Sequence, residues 1–189
     1  MTKVILELDS LTINRPKPRW NLYFVLVAEH PTDKDKLVTS IIPGSHPIKV
    51  VPSQNNRIDF DSGNSNTGLL LLKRELSANE KELNVHLHVM HSRRNQRDLG
   101  EILSNLESGI GGSAFGTVTN IFGTSNPWLV IAKGAVSLIG QILAKSPDRN
   151  MGFFSLFERF DTSNGNQEEI DYEKTGGHIT LVYSWATEN

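Results

Sequence analysis

His86 and His88 stand two apart in Leu83-Asn84-Val85-His86-Leu87-His88-Val89-Met90-His91, the best-placed pair in the chain for metal chemistry. On an extended strand both imidazoles leave the same face, roughly 6–7 Å apart along it. A carboxylate from a neighbouring strand would complete a zinc or iron site. Leu83, Val85, Leu87 and Val89 fill the alternate positions, so the histidines equally read as the solvated polar side of an amphipathic strand, and no third ligand can be named. Asp59-Phe60-Asp61-Ser62-Gly63-Asn64 alternates oxygen-bearing side chains as a calcium loop does, with Asp33 and Asp35 as further contributors. It lacks the terminal glutamate of an EF-hand, and Asp, Asn and Ser in a turn explain the same letters by local backbone hydrogen bonding.

Other chemistry finds less support. The chain has no cysteine, which removes disulfides, thiolate nucleophiles and cysteine-type zinc sites together. Gly109-Ile110-Gly111-Gly112-Ser113-Ala114 fits the loose dinucleotide fingerprint, but a helical pattern precedes it where a strand is required. There is no nucleophile elbow and no phosphate-cradling loop. The acidic run Glu168, Glu169, Asp171 and Glu173 reads as a solvated loop. No catalytic residue is expected. A net charge of -2 sets up no field for nucleic acid. The basic groups Arg15, Lys17, Arg19 and Arg93, Arg94, Arg97 lack the interleaved aromatics of a single-strand track.

The elements that would position these residues are mostly strands. Val4, Leu6 and Leu8 alternate with Ile5, Glu7 and Asp9, the period of a half-buried strand. Trp20 to Ala28 is apolar on both sides, as a central strand is. Further strands are expected at Leu37 to Ile42, Ile48 to Val51, Arg57 to Phe60, Gly68 to Leu76, Leu83 to His91, Gly152 to Phe160 and His178 to Trp185. Asp161 to Gly177 reads as a polar loop. Leu99, Ile102, Leu103 and Leu106 recur at helical spacing after Asn95, a good N-cap. Ala114 to Phe122 permits a short helix. Asn126 as cap and Pro127 in the first turn predict a longer helix from Trp128 to Lys145.

Residues 109–144 are the least ordinary stretch: 36 residues with one charged side chain, Lys133, and seven glycines. The other 153 residues hold the remaining 39 charges. Such a block belongs in a core, against a partner or in a membrane. As core, it would cover a sheet. As a docking surface for a protein partner or another copy of the chain, it would present Phe115, Ile121, Phe122 and Trp128. As a membrane-active segment it has the composition of fusion peptides and pore-forming hairpins. A helix over 127–144 would span about 27 Å, short of a hydrocarbon core of roughly 30 Å, and Lys133 would add about 2.5–3.5 kcal/mol at its centre.

The layout is therefore a single mainly β domain over 1–189: an antiparallel β-sandwich of about eight strands with a helical insert at about 96–145. An eight-stranded sandwich with an insertion between late strands resembles the C2-like class, a likeness of architecture that no motif carries. The expected function is a non-catalytic interaction or assembly module docking through the insert. Membrane insertion of 109–144 is the alternative, and a calcium- or metal-binding sandwich using Asp59 and Asp61 or His86 and His88 is the third. No cofactor is implied beyond that calcium, and no nucleic acid. Met1 to Leu8 lacks the pattern of a signal peptide, so a cytoplasmic location is expected by default, with any release by a non-classical route.

Overall fold

The computed structural model describes residues 2–15, 19–29, 36–43, 46–51, 56–60, 68–76, 82–93, 116–118, 128–132, 148–160 and 170–188. The chain divides into two compact units. One gathers Met1–Arg19, Val51–Leu83 and Phe157–Asn189, the other Trp20–Val50 and Asn84–Leu156. The described residues hold twelve strands and no helix. In chain order they are β1 (Lys3–Ile13), β2 (Trp20–Glu29), β3 (Lys36–Ile42), β4 (Ile48–Val50), β5 (Arg57–Asp59), β6 (Leu69–Glu75), β7 (Glu82–His91), β8 (Gly116–Val118), β9 (Trp128–Ala132), β10 (Arg149–Arg159), β11 (Ile170–Gly176) and β12 (Ile179–Glu188). They make two mainly antiparallel sheets.

The five-stranded sheet runs β11-β12-β1-β5, with β6 also on β1. β1 pairs with β12 from Lys3↔Glu188 to Ile13↔Ile179, slipping register between Leu8 and Ser10. That slip is a bulge: Val4, Leu6 and Leu8 are buried before it, and Leu11 and Ile13 after it. Without the extra residue, the second half of the strand would turn its apolar set to the wrong side. The other edge of β1 is shared end to end. Residues 10–12 take β5 and residues 3–8 take β6. Asp9 lies at the junction, where its carbonyl accepts from Phe60 N at 2.8 Å. At Gly68, where β6 approaches, an added Cβ would lie 2.6 Å from the Leu8 carbonyl oxygen and 2.7 Å from Asp9 Oδ1. Only glycine fits that approach.

The seven-stranded sheet runs β10-β7-β2-β3-β9-β8, with β4 also on β2. β2 repeats the arrangement of β1. Residues 24–29 take β3 and residues 20–22 take β4 on one side, and β7 pairs along the other. Every residue from Trp20 to Ala28 is buried, as a strand apolar on both faces should be.

Three expectations are corrected. Trp128–Ala132 is a strand, hydrogen-bonded to β3 and β8, and not the start of a helix. Its continuous apolar run suits either structure, and the open edge of β3 supplied the ladder that decided it. The short helix over 114–122 gives way at 116–118 to β8. The helix at Leu99 to Leu106 and residues 133–145 lie outside the described residues, so no part of the helical insert is seen as helix. Lastly, the polar loop contains β11, which pairs with β12 from Ile170↔Trp185 to Gly176↔Ile179. Gly177, at φ 64°, opens the two-residue turn that closes this hairpin.

Candidate functional site

β7 places Asn84, His86 and His88 on one side and Leu83, Val85, Leu87 and Val89 on the other, the latter all buried. β10, its neighbour in the sheet, supplies the side chains that meet the histidines. Phe153 stacks on His86, with ring centroids 5.6 Å apart and planes 15° apart, and lies 4.7 Å from His88. Ser155 Oγ donates to Asn84 Oδ1 at 2.9 Å. Asn150 Oδ1 accepts from Gly152 N at 3.1 Å, which turns its amide nitrogen toward His88 Nδ1 at 3.5 Å. With Nδ1 accepting, the neutral His88 ring carries its proton on Nε2. That nitrogen is buried with no hydrogen-bond partner among the described residues.

The expectation of two solvated histidines is thus corrected for His88, which is only 3% exposed. Burial, and secondarily the neighbouring His86, pushes its pKa down to about 4. It is neutral at physiological pH, because no partner offsets the loss of hydration on charging. His91, at the strand end, packs edge-on against Trp20 at 4.9 Å, and its Nδ1 lies 3.2 Å from the Asn21 carbonyl oxygen.

A buried carboxylate that sequence reasoning missed lies close by. Asp148 accepts from the Tyr23 hydroxyl at 3.0 Å, from Arg93 N at 3.2 Å and from Ser92 Oγ at 3.5 Å. The group ties the start of β10 to β2 and to the end of β7. Its lone pairs are spent on structure. In the other unit Glu158 has the comparable place. It is buried, accepts a short hydrogen bond from the Tyr172 hydroxyl, and accepts from Arg159 N at 3.0 Å. That bond, with some burial, pushes Tyr172 up to about 12, and burial raises Tyr183 as well. The two tyrosine rings stack at 5.4 Å.

The calcium candidates do not gather in the described part of the chain. Asp59 lies exposed on β5 in an ion pair with Arg57 at 2.6 Å, so a cation already answers its charge. Asp61, Asp33 and Asp35 lie outside the described residues. Among the described residues no three His, Asp or Glu side chains cluster as a metal site would require. His86 and His88 come together on one face, as expected, but with Phe153 and Asn150 in place of a third ligand.

The docking candidates Phe115, Ile121 and Phe122 lie outside the described residues, and Trp128 opens β9 opposite Val118. What the structure adds is where this uncharged block leads. β9 pairs with β3 and β8 pairs with β9, so among the described strands residues 116–118 stand last in the seven-stranded sheet. The remaining edge strands each carry charge: Asp171, Glu173 and Lys174 on β11, Arg57 and Asp59 on β5, Lys73, Arg74 and Glu75 on β6, Lys49 on β4, and Arg149, Glu158 and Arg159 on β10. Among the described edge strands, Gly116-Thr117-Val118 alone has none. Charged side chains are a common means of keeping an edge from pairing with foreign strands.

No protein-family model and no curated protein matches the chain. Among the solved structures to which the chain is similar is one described as the structure of Drosophila C2-DSL-EGF1. The identity is 8%, the match covers 99% of this chain and 67% of that one, and the TM-score is 0.41. Such a likeness bears on neither activity nor partners.

Sequence reasoning located the uncharged block but missed its strands. The available signal was β-branched content, Thr117-Val118 and Val130-Ile131, which favours a pleated ladder. Phe153, by contrast, stood in plain view within a phenylalanine-rich strand. Alternation along β10 buries Phe154 and Phe160 and leaves Phe153 and Phe157 exposed at 46% and 55%.

Proposed function

We propose that this chain is a non-catalytic interaction and assembly module, docking a protein partner or another copy of itself through the uncharged segment 109–144. One observation carries this reading: an uncharged strand, β8, ends a seven-stranded sheet whose other described edge is charged. Among the described residues no strand pairs with the outer side of β8, and strand addition to a sheet edge is a recurring mode of protein recognition. The polar groups buried around β7 and β10 support the same reading. Asp148 is saturated by Tyr23, Ser92 and Arg93, and His88 is neutral and enclosed. His88, so enclosed, is not placed to exchange protons with a substrate.

A second reading, lipid insertion of 109–144, draws on the single charge in those 36 residues. Among the described residues no helix is long and apolar enough to cross a membrane, and the strand at 128–132 shortens any helix the segment can form. The calcium reading has weaker support, with Asp59 paired to Arg57.

Amide hydrogen exchange over residues 109–144, with and without anionic liposomes, separates the first two readings. The expected result is protection of 116–118 and 128–132 that needs no lipid and deepens as protein concentration rises or a partner is added. Fast exchange that slows only when liposomes are present would replace docking with membrane insertion.

A further inference from the structure

We infer that Asn150 and Phe153 of β10 form an acid-operated latch on His86 and His88 of β7: a proton taken up by His88 releases the Asn150–Phe153 stretch from its neighbouring strand. The latch turns on one side-chain amide. Asn150 Oδ1 accepts from Gly152 N at 3.1 Å, which sets the amide nitrogen on the side of His88 Nδ1, 3.5 Å away. A neutral imidazole meets that nitrogen with a lone pair. A protonated imidazole carries N–H on both ring nitrogens, so the same contact becomes donor against donor. Asn150 then either turns its Oδ1 toward the ring, giving up Gly152 N, or withdraws. One carbonyl has two claimants, and the proton decides between them.

Burial supplies the drive. His88 is 3% exposed and its Nε2 is enclosed with no hydrogen-bond partner among the described residues, so a charge on the ring gains no compensating acceptor there. Phe153 lies over both rings yet is 46% exposed. A ring already half in water can move outward with little loss of apolar burial, and its departure hydrates the imidazoles. Among the described residues no carboxylate faces His88 to hold the charge. On β7 the other titratable group of this face is His86, a like charge when protonated, and Glu82 lies at the exposed start of the strand. β2 sets Val25 opposite His88 and Val27 opposite His86. β10 presents Asn150, Phe153 and Ser155. Asp148, just before β10, is taken up by Tyr23, Ser92 and Arg93, and Arg149 beside it carries the same sign as a protonated histidine.

The closed latch holds the His88 pKa at about 4, against 6.5 for an imidazole in water. Proton uptake therefore favours the released form as pH falls, by about 20-fold between pH 7 and pH 5. The Gly152 amide reads this directly, because Asn150 is its acceptor. Hydrogen exchange followed by NMR on the full chain, corrected for the intrinsic pH dependence of exchange, should show Gly152 protection falling about 20-fold over that interval. It should lie below the protection of the β2 amides at Val25 to Val27, on the far side of β7. The ring-proton shifts of Phe153 should move in step as the ring leaves the two imidazoles. His88→Leu should remove the response. Asn150→Asp, at an exposed position, should reverse it, because a carboxylate accepts from both Gly152 N and a protonated His88 and so tightens the latch in acid.

Gly152 protection that is unchanged from pH 7 to pH 5, or that falls equally in His88→Leu, would overturn the latch. A fall in Asn150→Asp as steep as the parent's would do the same. Equal protection at Gly152 and in β2 at both pH values would mean that acid acts through unfolding of the whole chain, and the latch falls on that result too. Should His88→Leu not fold, the Asn150→Asp comparison decides, since it leaves both histidines in place. None of these readouts involves residues 109–144, so the latch and the docking reading stand or fall separately.

Discussion

The two sheets share a plan and differ in where they put polarity. Each is built on one long strand, β1 or β2, with two short strands laid end to end along one of its edges. In the five-stranded sheet charge lies at the margins: Lys73 with Glu188 at 2.9 Å, Arg57 with Asp59, and the acidic and basic residues of β11. In the seven-stranded sheet polar groups are taken inside, at Asp148, His88 and His91, and the last described strand, β8, carries no charge. Surface ion pairs of the first kind contribute little stability, but they discourage unwanted pairing. Buried polar groups of the second kind are costly if unmatched and so make their sheet sensitive to mutation and pH.

The contrast can be broken or sharpened by experiment. The largest effect is expected at Asp148. Asp148→Ala removes the acceptor shared by the Tyr23 hydroxyl and Arg93 N, and should cost about 3 kcal/mol of unfolding free energy in urea melts. A loss no greater than that of removing an exposed carboxylate such as Glu188 would erase the distinction between the sheets.

Next comes His88. Its folded pKa of about 4 lies below the ordinary 6.5, so between those values the unfolded chain binds more protons than the folded one. Stability is therefore full above pH 6.5 and falls as pH drops toward 4, by up to roughly 3 kcal/mol. His88→Leu should flatten the stability profile across that window, and a variant with the parent's slope would place the acid sensitivity elsewhere.

Tyr172→Phe should be the mildest change, about 1 kcal/mol at neutral pH. Here the sign is reversed. A tyrosine raised to about 12 holds its proton more tightly in the folded chain, so its contribution is complete below pH 10 and disappears as pH climbs toward 12. Spectrophotometric titration of the tyrosines, parent against variant, reads this directly. Acid should thus weaken the packing around His88, and alkali the bond between Tyr172 on β11 and Glu158 on β10.

Much of this fold was legible in the sequence because alternation reports burial. β1, β2, β6, β7 and β12 fall within a few residues of their expected limits. What was hidden depended on neighbours. β11 reads as a loop because Asp171, Glu173, Lys174 and Thr175 are all exposed, and an edge strand with no buried apolar set shows no period. Asn126-Pro127 before Trp128 serves equally as helix cap and as turn, and the pairing of Lys36–Thr39 with β9 lies almost a hundred residues away in sequence, as 132 compared with 36. The Asp148 cluster was unreadable for the same reason, since its partner Tyr23 is 125 residues distant. His86 and His88 were correctly placed on one face, but burial of that face around His88 is a tertiary fact.

One consequence concerns how such a chain can grow. Where β5 gives way to β6, two described points of the chain are held to the sheet: Phe60, through its bond to Asp9, and Gly68, through its tight seat against Leu8. The ladder is indifferent to how many residues travel between those anchors, and doubling such an excursion adds only about 0.6 kcal/mol of closure entropy. The junction is a natural port for grafting a tag, a reporter or a new recognition loop. Inheritance can use it on the same terms, adding residues at 61–67 while both strands keep their partners.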